Sequence, residues 1–109
     1  MASEIMAVSL TKELSNSEVD LLTVTSGHTF TILNISICET AGVAETFDLY
    51  VRDDAGANDY EIYSDQALGA NETFEHTGRI VLTNEDHLTA KCASSASVDV
   101  VVSYLDQTR

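Results

Sequence analysis

The sequence predicts an all-β protein, an antiparallel β-sandwich or jelly roll of about seven to eight strands with a short N-terminal arm. Apolar and polar residues alternate with a period of two in stretches rich in Val and Thr, which is typical of half-buried strands. Turns built on Gly, Asn and Asp separate these stretches about every ten residues, and proline is absent. Helix periodicity is weak throughout. Strands at this spacing favour a sandwich.

Seven strands are predicted in the domain itself, and the clearest of them lie in the stretch Gly78–Leu105. The predicted strands are Val19–Val24, His28–Glu39, Ala44–Arg52, Tyr60–Tyr63, Ile80–Leu82, His87–Cys92 and Val98–Tyr104. The last strand alternates strictly, Val98, Val100, Val102 and Tyr104 against Asp99, Val101 and Ser103. In the third strand Phe47, Leu49 and Val51 are predicted to point inward, and Thr46, Asp48, Tyr50 and Arg52 outward.

The longest predicted strand, the one that begins at His28, changes face halfway. Phe30 and Ile32 share one side, whereas Leu33, Ile35 and Ile37 share the other. A strand with strict period-two alternation cannot do this, so the pattern predicts a β-bulge or a strand that is buried on both sides.

Residues 1–18 are predicted as an N-terminal arm, and residues 19–109 as the sandwich domain. Large apolar residues of the arm alternate with small ones, so the arm can pair as a strand. Two roles stay open: an edge strand of the domain's own sheet, or an element that binds a partner. The residues expected to bind a partner are Ile5, Met6, Val8, Leu10 and Leu14.

The charge balance excludes two classes of partner. With 18 acidic residues against 5 basic ones, the formal net charge is −13. Such a surface repels nucleic-acid phosphates and anionic membranes, so we expect neither as a partner. No apolar run approaches the ~20 residues that span a bilayer. The N-terminus carries acids and no basic segment, which argues against a signal peptide and favours a cytoplasmic product.

Candidate catalytic and metal-binding residues are few. His28, His76 and His87 are not at ligand spacing, and solvated imidazoles are favoured over a metal site. Asp53–Asp59 could gather oxygens around calcium, but its spacing does not match an EF-hand loop, and a solvated acidic loop is favoured. No nucleophile elbow or phosphate loop is present, so we expect no enzyme activity, no metal and no cofactor.

Cys38 and Cys92 each lie within a predicted strand. A disulfide is possible if the two strands are neighbours. Because no secretion signal is present, buried thiols are favoured.

Leu21–Leu105 resembles small β-sandwich domains in structural proteins of tailed bacteriophages. The resemblance rests on TFTILNISICET, AETFDLYV, LGANETF, GRIVLTNEDHLTA and ASSASVDVVVSYLD. The chain departs from the family pattern at two turns. It has Leu82-Thr83-Asn84-Glu85-Asp86 where a Leu-x-x-Gly-Asp-like turn is common, and Thr25-Ser26-Gly27 where a proline often precedes the glycine.

The resemblance implies a capsid decoration (cement) protein, located on the capsid surface of a virion that is assembled in the host cytoplasm. Such proteins bind the major capsid protein at symmetry axes, usually as homotrimers. One alternative is a head–tail connector, neck or tail/fibre module. A second alternative is a carbohydrate-binding module, whose aromatic platform would have to come from Tyr50, Tyr60, Tyr63 and Tyr104.

Overall fold

The computed structural model describes residues 3–53, 58–83, 85–94 and 97–108. Within these ranges nine strands, and no helix, form two antiparallel sheets. The strands are β1 Ser3–Thr11, β2 Val19–Thr23, β3 His28–Glu39, β4 Glu45–Arg52, β5 Asp59–Leu68, β6 Thr73–His76, β7 Ile80–Thr83, β8 His87–Cys92 and β9 Val98–Thr108. The predicted antiparallel β-sandwich is confirmed, with a strand count slightly above the expected one.

The two sheets differ in strand order. Sheet A has the order β1-β9-β3, and both β6 and β7 pair with the remaining edge of β3. Sheet B has the order β2-β8-β4-β5. Every strand pair is antiparallel. The edge strands β1 and β2 lie near each other, because the Ser9 hydroxyl donates a hydrogen bond to the Leu21 carbonyl at 2.7 Å.

The core lies between the inner faces of the two sheets, as the alternation predicts. The pairing of β3 with β9 shifts register between Ile32 and Asn34, so the predicted bulge is confirmed. The bulge at Leu33 lets Ile32 and Ile35 both face the core. The largest fully buried apolar side chains are Leu14, Ile32, Ile35, Ile37, Phe47, Leu49, Leu68, Leu82, Leu88, Val24 and Val98.

β5 is longer than the predicted strand, which ended at Tyr63. Its pairing with β4 shifts register beside Leu49. At this irregularity Asp65 has a positive φ of 48°, and its N–H donates a hydrogen bond to Asp48 Oδ1 at 2.6 Å. The bulge places consecutive polar residues in a continuing strand, which the alternation could not predict.

The turn after β3 is held by a buried carboxylate. Glu39 accepts hydrogen bonds from the N–H groups of Ala41, Gly42, Val43 and Asn71 at 2.9–3.1 Å. These donors, that of Asn71 first, lower the pKa of Glu39 against the opposing effect of burial. The side chain therefore joins the β3–β4 turn to the β5–β6 turn.

The two cysteines lie in different sheets, Cys38 on β3 and Cys92 on β8, and both are free thiols. Cys92 is buried, and this burial raises the pKa of its thiol to about 12. Within the ranges described above there is no helix long and apolar enough to cross a membrane.

Candidate docking surface

The segment predicted as an arm forms β1, an edge strand of sheet A. All nine of its residues are in register with β9, from Ser3 opposite Thr108 to Thr11 opposite Val100. Val100 faces the core, so odd-numbered residues of β1 point inward and even-numbered residues point outward.

Cross-strand pairing extends the outward side of β1 across the whole of sheet A. One row joins Met6 on β1, Leu105 on β9, Thr31 on β3 and Val81 on β7. The two adjacent rows are Val8 with Ser103 and Asn34, and Leu10 with Val101, Ser36 and Glu75. Across these three rows the only charged residue is Glu75, at the edge far from β1.

The apolar side chains in these rows form one surface, which we call the apolar face: Met6, Val8, Leu10, Val81, Val101 and Leu105. Met6 is 75% exposed and Leu10 is 73% exposed. Exposed large apolar residues that stand alone are ordinary, but contiguous ones mark an interaction surface.

Three of the five predicted partner-binding residues, Met6, Val8 and Leu10, lie together on the apolar face. Ile5 is exposed but has the inward parity of β1, so it is not part of this face. Leu14 departs from the expectation. It is 1% exposed and belongs to the core, and its N–H donates to the Val98 carbonyl at 2.7 Å. The chain turns inward after β1, and an apolar residue at that turn is buried.

Val81, Val101 and Leu105 are the members of the apolar face that sequence reasoning missed. Val101 carried a signal, since it is an outward valine in a strand whose inward positions are already apolar. Leu105 carried the same signal, because it has the outward parity of Val101 in β9, whereas Val81 carried none, because it lies within the continuous apolar run of β7.

Polar pairs border the apolar face at both ends of β1. Beyond Met6, Gln107 Nε2 donates a hydrogen bond to Glu4 Oε2 at 2.8 Å. Beyond Leu10, Lys12 Nζ lies 3.8 Å from Asp99 Oδ2. An apolar centre with a polar rim is the composition of a protein–protein interface.

The outward side of sheet B, which we call the charged face, has the opposite composition. One row joins Asp20, Thr89, Tyr50 and Glu61 across the four strands. The other rows are Thr23 with His87, Arg52 and Asp59, and Asp48 with Lys91. Every row carries at least one acidic side chain.

Several polar side chains of the charged face form hydrogen bonds and ion pairs with one another. Arg52 Nε donates to Asp59 Oδ1 at 3.1 Å, and Arg52 Nη2 lies 3.6 Å from Glu18 Oε2. The Thr89 hydroxyl donates to the same Glu18 oxygen at 2.7 Å. These contacts pair polar side chains of the charged face with one another.

Tyr50 is covered by the charged face although it points away from the core, as predicted. It is 5% exposed, and its hydroxyl donates to Asp48 Oδ2 at 3.1 Å. Burial first, and then the Asp48 carboxylate, raise the pKa of Tyr50 well above its ordinary value. Tyr63 and Tyr104 pack against the core, which leaves Tyr60, 57% exposed, as the one exposed tyrosine. A single ring does not form an aromatic platform.

Each of the three histidines has a polar partner. His28 Nδ1 lies 2.6 Å from Asp106 Oδ1, and His76 Nδ1 lies 2.7 Å from the Tyr63 hydroxyl. His87 Nδ1 lies 3.1 Å from the Thr23 hydroxyl and 3.4 Å from Asp20 Oδ1. Among the residues that the structure describes, no group of three His, Cys, Asp or Glu side chains could hold a metal ion. The acidic loop considered for calcium lies partly outside the described residues, at positions 54–57.

No protein-family model matches the sequence, and no curated protein matches it. Solved structures do share the fold. A chain in the capsid of Helicobacter pylori bacteriophage KHP30 is 12% identical, with a TM-score of 0.56, over 100% of this chain and 99% of that chain. A chain of the Bacillus endospore appendages, which are disulfide-linked pili, is 6% identical, with a TM-score of 0.57, over 98% of this chain and 87% of that one.

A chain of the infectious bursal disease virus particle is 6% identical, with a TM-score of 0.60. The matched region is 98% of this chain but only 31% of that longer chain. At these identities the similarity establishes the sandwich fold and nothing further.

Proposed function

We propose that this chain is a non-enzymatic virion structural protein, a capsid decoration or cement protein that binds the major capsid protein through the apolar face and stabilises the phage head. The observation that carries the proposal is the composition of that face. Three cross-strand rows hold a single charged residue, in a protein whose net charge is −13.

An exposed apolar surface is thermodynamically unfavourable in a protein that stays free in solution, because its side chains remain in contact with water. Full burial of one large apolar side chain contributes about 1.5–3 kcal/mol. Met6, Leu10 and Val101 are all accessible to a partner. Partial burial of a few such side chains gives a weak contact in each copy, and repetition over many sites on a lattice turns weak contacts into stable attachment.

The charged face suits the opposite orientation. Asp20, Asp48 and Glu61 lie on it, with a few bases among them. A hydrated acidic surface repels nucleic acid and the acidic surfaces of other particles. With the apolar face against the shell, the charged face points to solvent and keeps decorated particles apart.

One of the structural similarities fits a role in a capsid. The similar chain in the phage KHP30 capsid is about as long as this one, because each chain is covered almost completely by the other. This likeness is therefore to a whole small chain found in a capsid, whereas the likeness to the infectious bursal disease virus chain is to one part of a longer chain.

The head–tail connector, neck or tail/fibre module differs from a decoration protein in copy number. A decoration protein is present at a number comparable to that of the major capsid protein, whereas a connector ring has few copies. Quantitative gel densitometry of purified particles separates the two. The carbohydrate-binding alternative is disfavoured, because Tyr50, Tyr63 and Tyr104 are not available as a platform.

The docking test is a charge placed on the apolar face. We expect Val101→Glu to lower the affinity for undecorated particles about a hundredfold, because a carboxylate would be desolvated against the shell. Val43→Glu is the matched control, since Val43 is 65% exposed and lies outside the apolar face. Co-sedimentation with particles gives the affinity, and circular dichroism confirms that both variants fold. Wild-type binding by Val101→Glu, or equal loss in Val43→Glu, would refute docking through this face.

A further inference from the structure

The free edge of β1 is a second surface, distinct from the apolar face. Within the described residues β1 pairs with β9 on one side, and no strand pairs with its other side. A nine-residue edge strand presents a row of N–H and C=O groups that can pair with another strand. Natural edges are usually protected by proline or charge, but β1 has no proline and only one charged residue, Glu4.

We propose that β1 pairs with β1 of a second copy of this chain, antiparallel and about a twofold axis, with Val8 opposite Val8. This register places Met6 opposite Leu10 of the second copy. It also places Glu4 opposite Lys12 of the second copy, and by symmetry the pair occurs twice. Opposite charges that face each other across strands stabilise a pairing.

Charge complementarity selects this register among its neighbours. Side chains opposite each other share a face, so the register can shift only in steps that keep even residues opposite even residues. One such step places Glu4 opposite Leu10, and the step in the other direction places Lys12 opposite Met6. Either shift loses both ion pairs and sets a charge against an apolar side chain.

The charge of the β1 edge also favours self-association. Residues 3–12 hold one acid and one base, so this segment is neutral in a chain of net charge −13. Lys12 is free to reach across the axis, because its side chain is 80% exposed and its contact with Asp99 is long, at 3.8 Å. The repulsion between two acidic copies is therefore small along β1.

The pairing joins two five-stranded sheets into one continuous sheet and sets the apolar faces of both copies side by side on one surface. It is isologous and predicts a dimer. The homotrimer that the resemblance implies would need a heterologous contact, with β1 meeting a different edge of the next copy. The pairing does not depend on the proposed capsid role, and it can be measured in the absence of particles.

Sedimentation equilibrium of the full chain and of its charge variants tests the proposal. We expect a wild-type mass twice the 11.8 kDa of the chain. Glu4→Lys alone and Lys12→Glu alone should each weaken the dimer about tenfold, and the double variant should restore it. Glu4→Lys reduces the net negative charge by two units, so if general repulsion governed association it would strengthen the dimer. A monomeric or trimeric wild type, or a dimer that Glu4→Lys tightens, would overturn the proposal.

A disulfide across the axis tests the register. Val8→Cys, in a Cys38→Ser background, should give a covalent dimer under mild oxidation, because opposite residues of paired strands are close enough for the bond. Val43→Cys is the matched control, exposed but away from β1, and should remain monomeric on denaturing gels. Failure of Val8→Cys to cross-link, or equal cross-linking by Val43→Cys, would overturn the register with Val8 on the axis.

Discussion

The outward sides of the two sheets follow the same alternation but have opposite compositions. In the three middle rows of sheet A the outward positions of β1 and β9 hold Met, Val, Leu and Ser, whereas on sheet B those of β4 and β8 include Asp, Arg, Lys and His. Both faces belong to one small sandwich with one shared core. The net charge of −13 is thus concentrated away from one broad surface. A strongly acidic composition does not make every surface acidic, and the exception is the surface through which we propose that a partner binds.

The largest expected effect on stability separates the two parts of the N-terminal segment, the buried residue Leu14 and the exposed side chains of the apolar face. Leu14→Ala should lower the free energy of unfolding by about 2–5 kcal/mol, because it leaves a cavity in the core. Met6→Ala, which truncates an exposed side chain of the apolar face, should change it by less than about 0.5 kcal/mol. Urea denaturation measures both. Equal losses would mean that the apolar face is part of the stabilising core and not a free surface.

A smaller effect sharpens the comparison on the charged face. Thr89→Val removes the hydroxyl that donates to Glu18, and should cost about 1 kcal/mol of unfolding free energy. Ser103→Val, on the apolar face, should be neutral within about 0.5 kcal/mol. Urea denaturation measures both variants. Equal losses of unfolding free energy in Ser103→Val and Thr89→Val would contradict the difference between the two faces.

The pH dependence should report the burial of Tyr50 in the charged face. Because the folded-state pKa of Tyr50 lies above the unfolded value of about 10, the free energy of unfolding should fall as the pH rises above that value. Tyr50→Phe should make this fall shallower. Thermal melts at a series of alkaline pH values test it. An unchanged slope in Tyr50→Phe would show that Tyr50 is not the group responsible.

The smallest expected effect is on docking. Glu61→Gln removes a charge from the charged face and should leave particle affinity within about twofold of the wild type, because an exposed charge remote from the contact is screened by salt. Co-sedimentation measures it. A loss comparable to that of Val101→Glu would mean that the shell contacts the charged face.

The sequence was sufficient for the sandwich, because strand alternation and turn spacing are local features. The bulge in β3 followed from the change of face between Ile32 and Ile35. The length of β5 did not, since Asp65 adopts a positive φ at a bulge where its N–H donates a hydrogen bond to Asp48 of the neighbouring strand. Regular alternation carries no signal for such an irregularity.

The docking surface was predictable only in part. Met6, Val8 and Leu10 stood out as large apolar residues outside the predicted domain. Leu14 looked the same in sequence, and only its position after the end of β1 places it in the core. The continuation onto Val81 and Leu105 depends on which strands are neighbours in sheet A, and this is set by tertiary pairing.

The most direct test of the central claim is chemical labelling of one residue on each face, before and after binding to particles. Variants Val101→Cys and Glu61→Cys, both in a Cys38→Ser background in which the remaining thiol, Cys92, is buried, would be treated with a maleimide. We expect particle binding to protect Val101→Cys, whereas Glu61→Cys should label at the same rate free and bound. Protection of Glu61→Cys with unchanged labelling of Val101→Cys would contradict the account, because the charged face would then lie against the shell.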